Sequence, residues 1–252
     1  MDQSEAADLH ILGVRFYVGD AEGAVERVVR DGGLVVVPAA PALKNLTQDA
    51  GYRQALVGAD FAIADSALMV WLWNVLEQRR IPKLSGLKYL RTLFEHEDFR
   101  GEGRTFWVMP TPASATRNVQ WLRQNGVAVR DEDVYLAPLY GAEIEDAELL
   151  RRIEAQRPKH IVMAIGGGTQ ERVGWYLKQQ LGYRPAIHCI GAAIGFLSGD
   201  QVAIPEWVDR IGMGWLWRVA SDPRRYGPRY WEARHLAPLL MKYREKLPVT
   251  QN

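Results

Sequence analysis

The feature that most limits the fold is a repeated alternation. Short runs of apolar, often β-branched residues are separated by longer stretches whose apolar positions recur every three or four residues. Strand candidates fall at 10–16, 34–37, 61–64, 105–109, 134–136, 161–165 and 187–190. Helix candidates fall between or after them at 21–30, 42–56, 66–76, 87–95, 114–125, 145–156 and 170–181, with Asp20 placed to cap the first. Unbroken apolar strands alternating with helices predict a Rossmann-like α/β fold. Its sheet is mainly parallel and has helices on both faces. Residues 191–199 are small and loop-like, and from Pro205 no strand pattern remains. We therefore expect a core over 1–205 and a C-terminal helical appendage over 206–252.

Composition then removes several function classes. Hydrophobic residues form 48% of the 252, enough for a full core and too many for disorder. A net charge of +1 gives no whole-chain signal for nucleic acid. Cys189 is the one cysteine, so an internal disulfide and a Cys/His zinc cluster are both out of reach, and a reducing compartment is expected. The five histidines show no metal-ligand spacing. The acidic start, Met1-Asp2-Gln3-Ser4-Glu5, lacks the basic and apolar regions of a signal peptide. The apolar runs at 161–165 and 186–190 are far too short to span a bilayer, so a soluble or peripheral protein is expected.

Charge is unevenly spread. Between Arg210 and Lys246 there are nine lysines and arginines against three acids, a local +6 in a chain of +1. Trp207, Trp215, Trp217 and Trp231 lie in or beside this stretch. Cations interleaved with indole rings suit an anionic membrane surface. The same pattern also fits a helix packing its aromatics on the core.

Three strand ends carry candidate chemistry, since open α/β sheets bind ligands beyond the carboxyl ends of their strands. Asp65 directly follows an apolar strand and precedes a helix. It is a candidate general base for a hydroxyl proton, or the helix N-cap. The turn Gly166-Gly167-Gly168-Thr169-Gln170-Glu171 joins a strand to a helix and would let backbone N–H groups approach a phosphate. It is otherwise a plain tight turn. Glu171 stands where a dinucleotide fingerprint needs its third glycine, and no Gly-Lys-Ser/Thr ending marks a P-loop. Gly191-Ala192-Ala193-Ile194-Gly195 permits close backbone approach. Cys189, inside an apolar strand, reads as a core residue.

Taken together, these stretches resemble the WecG/TagA/CpsF family of bacterial glycosyltransferases, from about Leu12 to Arg229. The most specific segment is Pro205-Glu206-Trp207, Gly212-Met213-Gly214-Trp215-Leu216-Trp217-Arg218 and Asp222-Pro223-Arg224-Arg225-Tyr226. It is similar to the family ending AP-x-W…GLEW-x-YRL…EP-x-RY. The resemblance implies inverting, metal-independent transfer without a cofactor, from a UDP-sugar to a polyprenyl-diphosphate-linked saccharide, at the inner face of the cytoplasmic membrane. It puts the catalytic aspartate on Asp65 and donor contacts on Gly166, Gly167, Gly168, Gln170, Glu171 and Gly191. Acceptor-diphosphate contacts fall on Lys83, Arg218, Arg224, Arg225 and Arg229. Homo-oligomerisation is left open.

The sequence also departs from the family pattern. The Thr-Pro-Asn turn is Val37-Pro38-Ala39, PDG is Ala64-Asp65-Ser66, the motif lysine is Thr169, and R-x-x-G-x-D reads Lys83-Leu84-Ser85-Gly86-Leu87-Lys88. The GG-x-FD loop, here Ala192-Ala193-Ile194-Gly195, lacks its acid. A catalytically inactive nucleotide-sugar-binding or regulatory homologue on the same fold is the alternative.

Overall fold

A computed structural model describes residues 8–78, 80–191, 193–200, 208 and 214–250. Eight strands form one sheet in the order β1-β2-β4-β3-β8-β7-β5-β6. They are β1 (Leu9–Ile11), β2 (Val14–Phe16), β3 (Gly33–Val36), β4 (Phe61–Ala62), β5 (Thr105–Met109), β6 (Val134–Leu136), β7 (His160–Met163) and β8 (Ala186–Cys189). Every pairing is parallel except β1 with β2. The chain is a Rossmann-like α/β protein.

Two layers of helices cover the sheet. One apolar cluster buries side chains of α2 (Ala40–Leu43), α3 (Ala50–Val57), α4 (Ala67–Glu77), α8 (Ala147–Gln156) and α9 (Thr169–Gln180). The other buries those of α1 (Ala21–Asp31), α5 (Gly86–Glu95), α6 (Glu97–Arg100), α7 (Pro112–Gln124) and α10 (Ala193–Ser198). Asp20 caps α1 as expected, accepting from Gly23 N at 2.9 Å.

Four expectations need correction. The strand expected over 10–16 is a hairpin, because Leu12 and Gly13 both take positive φ, 52° and 76°, and turn the chain back. The helix expected over 42–56 breaks into α2, a 3₁₀ turn at Lys44–Thr47 and α3, which Asp49 recaps by accepting from Tyr52 N. The strand expected over 61–64 ends at Ala62. Within 191–199, Ala193–Ser198 is helical rather than a loop, because Ala193 and Ile194 find apolar partners.

Beyond residue 213 the chain forms the helices Gly214–Ser221, Pro223–Glu232 and Leu236–Tyr243. Ala233, Leu236 and Leu240 are buried in the same cluster as α2, α3 and α4. The backbone after the last helix closes on the first hairpin: Leu12 N donates to Arg244 O at 2.7 Å and Gly13 N to Glu245 O at 2.9 Å. A Cβ on Gly13 would meet that of Leu247 at 2.6 Å, so glycine is required there for space as well as for φ. The segment around residues 233–247 therefore cannot be removed without opening the core.

Candidate functional site

The central parallel strands set the site. In register across the sheet, Ala62 pairs with Val36, Val36 with Cys189, and Cys189 with Met163. The loops after β4, β3, β8 and β7 therefore leave at one level and side by side. At about 4.8 Å per strand they span roughly 14 Å. The chain enters the α2/α4/α9 layer after β3, β4 and β7, but the opposite layer after β8. A crevice at such a reversal is where open sheets of this kind hold ligands.

Asp65 lies at one end. Its N–H donates to Ile63 O at 3.0 Å, so the residue sits on a tight turn just beyond β4. The cap of α4 is Ser66, whose Oγ accepts from Met69 N at 3.2 Å. The N-cap reading of Asp65 is thereby corrected. Asp65 Oδ1 instead accepts from Gly86 N, at the start of α5, at 3.3 Å. The segment before Gly86 runs back along the strand end, with Leu84 N donating to Ala64 O at 3.1 Å. This brings half-buried Lys83 to the same corner as half-buried Asp65.

The glycine turn lies at the other end. A Cβ added to Gly166, Gly167 or Gly168 would meet no atom within 4 Å. Gly168 needs glycine for its φ of +89°, whereas Gly166 and Gly167 face open space with no such demand. Close backbone approach by a ligand is a use that glycine there would serve. Not every N–H of the turn is available. Gly168 N donates to Glu171 Oε2 at 2.6 Å, and Gln170 N to Gly166 O at 3.1 Å.

Gln170 and Glu171 are buried and look inward. Gln170 Oε1 accepts from Gly191 N at 2.6 Å, and its Nε2 donates to Glu171 Oε1 at 3.0 Å. This chain of bonds locks the β7–α9 turn to the end of β8. Burial raises the pKa of Glu171, against the lowering effect of its hydrogen bonds. The side chains of Gln170 and Glu171 hold the turn, while the backbone of Gly166 and Gly167 is exposed. Cys189 is buried, with its thiol raised in pKa by desolvation, and donates to Gln170 O at 3.2 Å.

Arg172 went unnoticed in the sequence. Its guanidinium bonds Gly168 O at 3.3 Å, Gly141 O at 3.2 Å and Ala142 O at 2.9 Å, which ties the loop after β6 to the glycine turn. That loop is held in turn by Asp146, which accepts from Tyr135 and Tyr140 and caps α8. No spacing rule reveals such contacts, because they join residues about thirty apart.

Arg224 is exposed in the first turn of Pro223–Glu232. Glu232, at the other end of that helix, pairs with Lys44 just after α2. Eight residues of helix separate the two, about 12 Å. The side chains of Arg218, Arg225 and Arg229 lie outside the described residues, as do those of Trp207 and Trp215. Trp231 is 68% exposed, with the Arg234 guanidinium 4.5 Å from its ring centroid. Among the described residues no helix is long and apolar enough to cross a membrane.

A doubly covered, mainly parallel sheet with a reversal at its centre defines a Rossmann-like protein, with an aspartate turn and an open glycine turn at one edge of it. The chain belongs to the Glycosyl transferase WecG/TagA/CpsF family, whose model matches residues 9–250. It is also similar to the N-acetylglucosaminyldiphosphoundecaprenol N-acetyl-beta-D-mannosaminyltransferase of Staphylococcus aureus (strain MRSA252). Identity is 21% over 235 residues, covering 90% of this chain and 89% of the relative.

Proposed function

We propose that the protein transfers a sugar, with inversion, from a UDP-sugar to a saccharide carried on a polyprenyl diphosphate, in the synthesis of a cell-surface polymer. The observation that supports this reading is that the Asp65 corner and the open glycine turn leave the same edge of the sheet, in a chain of this family. The relative's name supplies the acceptor class.

In this mechanism the acceptor hydroxyl attacks the anomeric carbon on the face opposite the diphosphate. Its proton passes to the Asp65 carboxylate as the new C–O bond forms. The bond from the anomeric carbon to the β-phosphate oxygen breaks, and its electron pair stays on the departing UDP. That growing charge needs preorganised donors. The N–H groups of Gly166 and Gly167 are assigned to the donor diphosphate, with Gln170, Glu171, Gly168 and Gly191 holding their geometry. Lys83 and the arginines at 218, 224, 225 and 229 are assigned to the acceptor diphosphate. The middle of the crevice, Val37-Pro38-Ala39, offers only apolar side chains, so donor selection falls to the flanking loops.

The deciding experiment compares thermal stabilisation by UDP and NAD, followed by transfer assays with UDP-sugars and short-chain polyprenyl-diphosphate saccharides. UDP binding with turnover supports the proposal. UDP binding without turnover supports an inactive nucleotide-sugar-binding homologue, and NAD binding alone sinks both.

Two variants separate ligand contact from support. A Cβ at Gly167 would meet no protein atom within 4 Å, so Gly167→Val is expected to fold normally and to bind UDP at least about tenfold more weakly by calorimetry. Gln170→Ala removes a buried link to Gly191, so it is expected to weaken UDP binding and also to lose about 1–3 kcal/mol of stability in denaturant titration. Unchanged UDP affinity in both would make the turn purely structural.

The basic C-terminal stretch is assigned to the membrane and the acceptor. Removing residues after 205 is a poor test, since Ala233, Leu236 and Leu240 would leave the core. Arg224→Ala with Arg225→Ala is cleaner. Each basic residue at an anionic surface contributes about 1 kcal/mol, so flotation on anionic liposomes should weaken roughly thirtyfold, with a smaller salt dependence. Transfer to a lipid-linked acceptor should fall while UDP affinity holds. Unaffected flotation and transfer would reduce the stretch to a solvated face.

A further inference from the structure

Helix α4 is apolar on both sides. Met69, Val70 and Trp73 face the core, while Leu68, Trp71 and Val75, spaced i, i+3 and i+7, form an outward stripe. Trp71 is 61% and Val75 60% exposed. A surface helix seldom repeats large apolar residues on its outer face without a use for them.

The chain after α4 builds a wall beside this stripe. Gln78, at φ 52°, ends the helix. Asn74 then pins the returning segment, its Oδ1 accepting from Ile81 N at 2.8 Å and its Nδ2 donating to Ile81 O at 3.2 Å. Between them lies an open groove of about 630 Å³, bounded by Trp71, Val75, Ile81 and Pro82 with Asn74 and Arg80. That size suits a small organic ligand. The same segment runs on through Lys83 to Leu84 and Gly86, which bond the Ala64–Asp65 turn. The groove wall is therefore continuous with the corner that holds the candidate base.

The charged residue that lines the groove is Arg80. Arg80 and Lys83 lie on the returning segment, and the acid of α4, Glu77, is paired with Arg244 at 3.2 Å. Arg80 stands with Asn74 and Val75 toward the end of α4, whereas Lys83 lies beyond the groove next to the Ala64–Asp65 corner, and the apolar stripe of about 10 Å runs from Leu68 to Val75 between them. A ligand that lies along the apolar stripe and reaches Lys83 with its charged end is an anion with a hydrocarbon tail.

We infer that this groove receives the first isoprenoid units of the lipid-linked acceptor, with the diphosphate toward Lys83 and the hydrocarbon against Trp71 and Val75. The inference rests on the acceptor class proposed above. It assigns the tail to the protein, where the bilayer alone would otherwise hold it, and makes Trp71 and Val75 determinants of acceptor specificity.

The test uses the full chain with farnesyl diphosphate, inorganic pyrophosphate and UDP as calorimetric probes, on wild type, Trp71→Ala and Val75→Glu. Both positions are exposed, so both variants should fold. Farnesyl diphosphate should bind wild type more tightly than pyrophosphate does. Each substitution should weaken it roughly ten- to a hundredfold, with pyrophosphate and UDP affinities and the sedimentation mass unchanged. Equal farnesyl diphosphate affinity in all three proteins overturns the inference. If that affinity holds while the mass falls, the stripe joins two copies of the chain; if it holds while flotation on empty liposomes falls, the stripe rests on the bilayer. Prenyl binding that depends on Val75, without sugar transfer from any UDP-sugar, leaves the groove standing and removes the proposed reaction. Transfer with prenyl binding indifferent to Val75 does the reverse.

Discussion

Asp65→Asn is expected to keep the fold and to slow sugar transfer by roughly 10²–10⁴-fold, the usual cost of a lost general base. The substitution is nearly isosteric, and its carbonyl oxygen can still accept from Gly86 N. What it cannot do is take the acceptor's proton. Because Ser66 caps α4, loss of helix capping does not confuse the result. The matching control is Ser66→Ala, expected to cost about 1 kcal/mol of stability and to leave turnover near normal. Steady-state rates and denaturant titrations on the two variants should give opposite patterns. An Asp65→Asn variant that turns over at close to the normal rate removes Asp65 from the mechanism.

The second large effect is on stability in acid. His160 and His188 are fully buried beneath α6, stacked with ring centroids 5.3 Å apart. His160 Nδ1 lies 3.1 Å from His188 Nε2, and His188 Nδ1 lies 2.9 Å from Tyr89 Oη. His160 Nε2 has no hydrogen-bond partner among the described residues. Burial lowers the pKa of His160 to about 4, helped by the nearby Lys159 charge and opposed by Asp98. Burial also lowers that of His188, and His160 adds to the effect. In the unfolded chain both would titrate near 6.5. The unfolded state therefore takes up protons that the folded state refuses, and stability falls as pH drops from about 6.5 toward 4. For His160 alone the loss reaches on the order of 3 kcal/mol. Buried Glu171, with its raised pKa, pulls the other way over part of this range. The informative quantity is therefore a difference in slope. His160→Gln retains a partner for His188 but does not titrate, and should flatten the pH dependence of unfolding between pH 6.5 and 5. An unchanged slope would mean that the pair does not control acid stability.

Much of the fold was legible because periodicity reports burial. Runs such as Thr105–Met109, covered on both faces, carry no polar alternation, and α1 announces itself through Asp20 and a regular apolar stripe. The failures share a cause: a local signal was overruled by a contact distant in sequence. Leu12 reads as a strand residue, yet the backbone of residues 244–247 holds it in a turn. Asp65 reads as a cap, and only the bonds from Met69 N to Ser66 and from Gly86 N to Asp65 show which side chain does which work. Gln170 and Glu171 matched a donor motif, but Gly191, twenty-one residues on from Gln170, determines where the Gln170 amide points. The buried histidine pair left no trace in spacing at all, since His160 and His188 meet only because β7 and β8 are neighbours.

The bond between the first hairpin and the end of the last helix has a consequence for synthesis of the chain. Residues 12 and 13 are made more than two hundred residues before their partners, Arg244 and Glu245. The sheet is no quicker to complete, because β3 must wait at its centre for β8, from Val36 to Cys189. Contacts this far apart in sequence form slowly, and the apolar edges they will cover stay open meanwhile. A nascent chain that has reached residue 230 still lacks Leu236 and Leu240 and so exposes the surface they will seal. Closure thus waits for residues 236–247, and a stall or frameshift before them should yield an aggregating product rather than a shortened working protein.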